Sequence, residues 1–314
     1  MNNIGIEDYI IKDKAISRYT SMGVGGPADY LLEAHNLDLL IMGVKWATKN
    51  TIPYQIIGRG TNVIVGDSGF RGLIIINRTT GLNFDINESK VIVESGYPLA
   101  KLILDSAEHN LGGMESLFGI PGSIGGAVVV NAGTHGVMTG SFIKKASVLE
   151  NGTKIVSVGP DWFNFQYRQS KLKKQKQKHP LVLLNFIMQL QKKKRDQIMD
   201  EIKISKQYRE KNQPLGEVTA GSIFKNPSLS DAQTNVKEKS AGYLLEQSGA
   251  KLLAVDGAKV SKKHANWIIN SGNAPASAMR ELIDKMRRAV EEKFSVTLEE
   301  EVEYIGDWNE KNKQ

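Results

Sequence analysis

The residues best suited to do chemistry begin with a glycine string. GIPGSIGGAVVVNAG, from Gly119 to Gly133, sets Gly119, Gly122, Gly125, Gly126 and Gly133 around Pro121, with no charged side chain between Glu115 and its far end. Glycine at that density weakens any helix or strand that contains it, so the stretch offers something a side chain would obstruct. Successive backbone N–H groups form an anion-binding concavity where no Cβ intervenes. A second run, GRGTN (Gly58–Asn62), follows the apolar segment YQII and carries Arg59 as its cation. Neither run is a known phosphate signature: no G-x-x-x-x-G-K-[ST] occurs, and GRGTNV has Val63 where G-x-G-x-x-G needs its third glycine. On physics alone the two runs are either a pyrophosphate cradle or tight turns in a crowded sheet.

Other chemistries are excluded or weakened. The 314 residues contain no cysteine, which removes disulfides, thiolate nucleophiles and iron–sulfur ligation. His35, His109, His135, His179 and His264 are scattered without metal-binding spacing, so no metal is expected. The formal charge of +7 suggests a polyanionic partner, nucleic acid or small phosphorylated ligands. Much of it lies in Lys171–Lys178 and Lys192–Arg195, but the first run lacks interleaved aromatics and reads as a solvated loop. No window approaches the ~18 apolar residues that span a bilayer. Leu181–Leu190 comes nearest and is broken by Asn185 and Gln189. MNNIGIEDYI lacks a signal peptide's basic and apolar regions, so a cytoplasmic location is expected.

The elements that must position these residues follow from periodicity. YLLEA, YQIIG, NVIVGD and GLIIIN read as strands. Hairpins are expected between Leu82–Ile86 and Lys90–Val93, and between Ala146–Leu149 and Lys154–Val158 across Asn151–Gly152, a pair that favours a type I′ turn. GIPGSIGG is expected to follow a strand, as GRGTN does. Helices are expected at Leu37–Lys49, Leu99–His109, Ala241–Gln247 and around Met279–Phe294, where apolar residues recur at i, i+3, i+4 and i+7. A polar helix near Lys192–Gln213 ends at Pro214 and links two domains. The chain closes with a strand, VTLEEEVEYIG, with Thr297, Glu299, Glu301 and Glu303 on one face. Three glutamates there normally mean a solvated face. The class is α+β rather than a doubly wound sheet.

Seven motifs then occur in an order that resembles the UDP-N-acetylenolpyruvoylglucosamine reductases: TSMGVGGPADYLLEA, IIGRGTNVIVGD, SLFGIPGSIGGAVVVNAG, YRQS, AGSIFKNP, AGYLLEQSGAK and LEEEVEYIG. The resemblance covers Tyr19 to Gly306. It implies a two-lobed FAD-binding domain of the p-cresol methylhydroxylase type over residues 1–192, its lobes divided near 80–90. A linker helix at 193–213 and a substrate domain at 214–314 follow. It also resolves the glycine question: Gly58, Arg59, Gly60, Thr61, Asn62, Gly119, Ile120, Pro121, Gly122, Ser123, Gly125 and Gly126 would meet the FAD. The reaction implied is NADPH-dependent reduction of an enolpyruvyl ether on a UDP-sugar, hydride passing from reduced flavin N5. Negative charge then builds on the substrate carboxylate as an enediolate. By the resemblance Ser222 donates the proton, and Arg168 and Glu301 stabilise the enediolate. Tyr167, Arg209, Asn226 and His264 are matched to substrate binding.

Taken alone these residues read more plainly. Ser222 is a turn serine after Ala-Gly, Arg168 a surface ion-pair arginine, and His264 a structural histidine. The family also implies a monomer that binds neither nucleic acid nor membrane. Three positions depart from its pattern: His135 replaces a common tyrosine, Asp256 interrupts a usual glycine pair in AVDGAK, and Glu303 replaces a common arginine. The short, lysine-rich stretch after YRQS lacks the inserted segment of the family's long form. Two rival readings are a flavin oxidase on the same scaffold, which would not need AGSIFKNP or the terminal glutamate, and a basic nucleic-acid binder.

Overall fold

The computed structural model describes residues 5–173, 180–227 and 240–308, so most of the lysine run at 171–178 lies outside the described residues. It is α+β, as expected. Two compact units emerge: the first comprises Met1–Asp13, Asp29–Arg59 and Gly72–Arg209, the second Lys14–Ala28, Gly60–Arg71 and Glu210–Gln314.

The first unit holds two larger sheets. One has strand order Ile10–Ala15, Pro27–Ala34, Phe70–Asn77, Tyr54–Ile57, the last pair parallel with Tyr54 opposite Leu73. Helix α1 (Leu37–Lys49) starts where the Asn36 side chain accepts from Leu39 N at 2.8 Å, a standard N-cap. It buries Leu39, Leu40, Val44 and Ala47. Gly43 lets it come close, since a Cβ there would strike the Leu32 side chain. The other sheet is antiparallel, in the order Lys154–Val158, Ile143–Glu150, Val182–Gln189, Lys90–Glu94, Leu82–Asp85. Both expected hairpins are in it, Leu82 facing Val93 and Ala146 facing Val158. Asn151 and Gly152 have φ of 49° and 69°, the two positive values of a type I′ turn. Helix α2 (Leu99–Glu108) buries Leu99, Leu102, Ile103 and Ala107 among the apolar residues of this sheet. The short α3 (Ile124–Val129) and the long polar α4 (Arg195–Asn212) complete the unit.

In the second unit, α5 (Ala241–Gln247) and α6 (Ala276–Phe294) pack with the small sheet Ala254–Val255, Ala258–Val260, Ile268–Asn270. The turn in AVDGAK has φ of 38° at Asp256 and 86° at Gly257, so Asp-Gly makes a left-handed pair where the family usually carries two glycines. Helix α6 buries Met279, Leu282, Ile283, Met286 and Val290, matching the spacing read from sequence. Its N-terminus is capped from far away: Asp67 accepts from Ala276 N at 2.7 Å and from Ser277 N at 2.9 Å. Met22, Val24 and Ile64 join the apolar residues of 220–302 in one core.

Two expectations need correction. VTLEEEVEYIG is not one strand: only Glu303–Ile305 is regular, paired in parallel with Val63–Val65, and Glu300 makes an isolated bridge to Phe224. The pairing partner changes along the segment, which breaks the alternation. GIPGSIGG does not follow a strand. It leaves a 3-10 turn at Glu115–Leu117 and opens α3. No helix among the described residues is long and apolar enough to cross a membrane.

Candidate active site

Several predicted residues of the first unit converge on the glycine string. Ser123 is the N-cap of α3, its Oγ accepting from Gly126 N at 3.3 Å. A Cβ on Gly58, at the start of GRGTN, would collide with that Oγ, so the two glycine runs touch where a side chain is excluded. Gly125 is equally constrained, since its Cβ would lie 2.7 Å from the Ser95 carbonyl oxygen. Glycine therefore costs α3 helix propensity and gains it close packing, and the helix stays short. Arg59 is exposed, as a cation placed for a ligand would be.

The far end of the string receives YRQS. Tyr167 and Arg168 are the central residues of a tight turn closed by Gln166 N to Gln169 O at 3.0 Å. Arg168 has φ 52°, a left-handed value that costs a non-glycine residue about 1 kcal/mol. The turn is held from α3's exit: Ser170 Oγ donates to Val129 O at 2.5 Å and Asn131 Nδ2 to Gln166 O at 2.9 Å. Arg168 Nη2 donates to Gly133 O at 2.6 Å, and its guanidinium stands 5.4 Å from the Tyr167 ring. Arg209, from α4, is buried and donates through Nε to Phe118 O at 2.9 Å. A Cβ on Gly119 would collide with its side chain, which explains the glycine there. Burial pulls the Arg209 pKa down, against an upward pull from Tyr208, and the charge of Arg168 adds a smaller downward pull. Beside this pair, His135 meets Tyr208 edge to face at 5.2 Å. Two positive guanidinium groups close enough to oppose each other suit an anionic ligand.

The second unit assembles Ser222, Glu301 and Asn62. Glu301 N donates to Ile223 O at 2.7 Å, and Lys225 N to Glu299 O at 2.8 Å. Asn62 Nδ2 donates to the Glu301 carbonyl at 3.1 Å, and Glu303 N to the Asn62 carbonyl at 3.0 Å, so Asn62 braces the terminal segment. Ser222 bridges Trp267 across the neighbouring segment, and among the described residues its hydroxyl has no hydrogen-bond partner. Lys225 is 7% exposed and pairs with Glu299, so its ammonium is already engaged. Asn226 Oδ1 accepts from Ala241 N at 3.0 Å, at the start of α5. His264 packs over Gly242, and its Nδ1 accepts from Asn266 N at 3.2 Å. Burial pushes its pKa down, and Lys251 adds to the effect.

Asn266 was not singled out from sequence. Its Oδ1 accepts from Phe224 N at 2.9 Å, its Nδ2 donates to Phe224 O at 2.8 Å, and its own carbonyl accepts from Ile223 N. It is the clamp on the Ser222 segment. An asparagine in a run of apolar residues was the available signal. In the basic stretch at 192–195, Lys193 lies 3.2 Å from Glu115 and 2.6 Å from Glu201, and Arg195 lies 2.9 Å from Glu108. Lys193 and Arg195 are thus paired within the protein.

Comparison with known proteins decides the lineage. Residues 28–159 match the FAD binding domain family, and residues 213–305 match the UDP-N-acetylenolpyruvoylglucosamine reductase C-terminal domain. The UDP-N-acetylenolpyruvoylglucosamine reductase of Bacillus subtilis is 35% identical over 299 residues, covering 95% of this chain and 94% of the relative. The chain belongs to the UDP-N-acetylenolpyruvoylglucosamine reductase family. A reductase from Clostridium botulinum is 34% identical over 300 residues, covering 96% of this chain and 94% of that one. The crystal structure of the Thermus caldophilus reductase matches with a TM-score of 0.74 at 30% identity, covering 94% of this chain and 98% of that one. As a member of this reductase family, the protein is an oxidoreductase with FAD as its cofactor. At Gly58, Gly119 and Gly125 protein atoms fill the place of a Cβ, whereas Gly126 is exposed with only Ser123 Oγ near, so backbone there is open to such a group.

Proposed function

We propose that the protein reduces UDP-N-acetylglucosamine enolpyruvate to UDP-N-acetylmuramate, with NADPH as reductant, in peptidoglycan precursor synthesis. The observation that carries this reading is the Glu301–Ile223 hydrogen bond, which sets the terminal glutamate beside the Ser222 segment. The names of the relatives support the substrate.

When bound, FAD supplies the hydride that the enolpyruvyl double bond accepts. Gly58–Asn62 and Gly119–Gly126 would hold it, their glycines allowing close approach to the backbone. The chain's own residues do the rest. Ser222 holds a proton at the substrate carbon next to the carboxylate; its hydroxyl is not committed to another described residue. Arg168, fixed on Gly133 O, offers its guanidinium charge to the developing enediolate. Glu301, with its backbone held by Ile223 and Asn62, acts on the same charge through its carboxyl group. Arg209, Tyr167, Asn226 and His264 are the residues assigned to binding the UDP-sugar, the arginine and tyrosine side chains suiting its anionic portion. Substrate binding falls to 214–314, FAD binding to 1–192 and the link to 193–213. The enzyme works as a cytoplasmic monomer.

The test separates two half-reactions under anaerobic conditions: flavin bleaching by NADPH, then recovery of colour on adding the enolpyruvyl UDP-sugar. Ser222→Ala is expected to bleach normally and to recover colour at least ~100-fold more slowly. Recovery at the wild-type rate removes Ser222 as the acid. A wild-type enzyme whose colour the UDP-sugar does not restore removes the substrate assignment.

A further inference from the structure

The Ser222 and Glu301 segments meet over very little backbone. Phe224 and Glu300 form a single antiparallel bridge, flanked by Lys225 N to Glu299 O and Glu301 N to Ile223 O. A two-stranded pairing this short is marginal by itself, and a slip of one residue would turn every side chain to the opposite face. Something must hold its register.

Helix α6 supplies a tether. Arg287 Nη2 pairs with the Glu300 carboxylate, while Nη1 lies 2.8 Å from Asp284 Oδ1 on the same helix. The same guanidinium stands 6.0 Å from the centre of the Phe224 ring. One side chain thus engages both residues of the bridge. The pair is sheltered, with 25% of the Arg287 side chain and 21% of the Glu300 side chain exposed. Lys285–Glu281 on the same helix is 45% and 55% exposed and is correspondingly screened. Sheltered ion pairs can specify register more than they add stability. Asp284 on the helix and the Lys225–Glu299 pair on the bridged segments carry further charge here.

We propose that the Arg287–Glu300 ion pair is a positioning device that holds Glu301 in register with the Ser222 segment. The inference rests on the proposed roles of Ser222 and Glu301. Arg287 touches no reacting atom in this scheme; it acts through the backbone of its partner.

The same two half-reactions, with amide hydrogen exchange at Ile223–Lys225 and Glu299–Glu301, test it. Arg287→Glu is expected to slow colour recovery by the UDP-sugar about tenfold to a hundredfold, the cost of a small misplacement. Bleaching by NADPH should stay at the wild-type rate, and exchange in both segments should quicken. Exchanging the charges in Arg287→Glu/Glu300→Arg should restore most of the loss. Glu300→Gln, which alters shape least, should move in the same direction if the first variant folds poorly, and Lys285→Glu should change nothing. Unchanged recovery and exchange in Arg287→Glu and Glu300→Gln overturn the proposal, and so does equal loss in both half-reactions. If the wild-type enzyme itself ignores the UDP-sugar, the functional reading fails while the exchange data still judge the tether.

Discussion

At the scale of single residues, the glycines divide by what their missing Cβ would meet. Gly58→Ala would drive a methyl into Ser123 Oγ, which is held as the α3 cap. Loss of that cap costs about 1 kcal/mol, and the backbone would also be pushed from the ligand side. The expected outcome is a folded protein with reduced flavin content, read from visible absorbance per mole of protein. His264 yields a pH prediction. Its pKa lies below the unfolded value because burial and Lys251 disfavour the cation. The unfolded chain therefore binds the extra proton first, so the stability associated with the neutral ring is complete above the unfolded pKa near ~6.5 and declines as pH falls below it. Melting temperature should drop between about pH 7 and pH 5, and His264→Gln should flatten that drop. At this scale much of the site was legible, because glycine density and motif order are local signals. Asn62 was not read as a brace, since its partner Glu301 is distant in sequence.

Elements were legible where their cause is local. α1 and α5 have the bounds read from sequence, and Asn-Gly forms the turn its conformational preference dictates. The terminal strand was misjudged because its pairing switches between Phe224 and Val63–Val65, which no periodicity in VTLEEEVEYIG encodes. The same limit hid Asp67 as the cap of α6 and Asn266 as the clamp on Phe224. Asn266→Ala would leave the Phe224 N–H and C=O without those partners, an expected loss of about 2–4 kcal/mol by chemical denaturation. Colour recovery by the UDP-sugar should slow with it, because Ser222 lies two residues from the clamped site. Asp67→Ala should cost about 1 kcal/mol, as removal of a cap does.

Taken whole, the chain is two units of which neither is one continuous stretch. The second draws Met22, Val24 and Ile64 into its core and pairs Glu303–Ile305 with Val63–Val65. A fragment of residues 210–308 lacks Met22, Val24 and Val63–Val65 and should show no cooperative thermal transition by circular dichroism. Composition alone could not reveal this interleaving, because the early segments look like ordinary strands and turns of the unit that surrounds them in sequence.

That interleaving also sets an order of events at the ribosome. Residues 14–28 and 60–71 emerge early, yet the rest of their unit begins only at Glu210. At a synthesis speed of about 5–20 residues per second the wait is on the order of ten seconds. Through it, Met22, Val24 and Ile64 lack their eventual burial partners from 220–302, leaving apolar surface on the nascent chain for a holdase to cover.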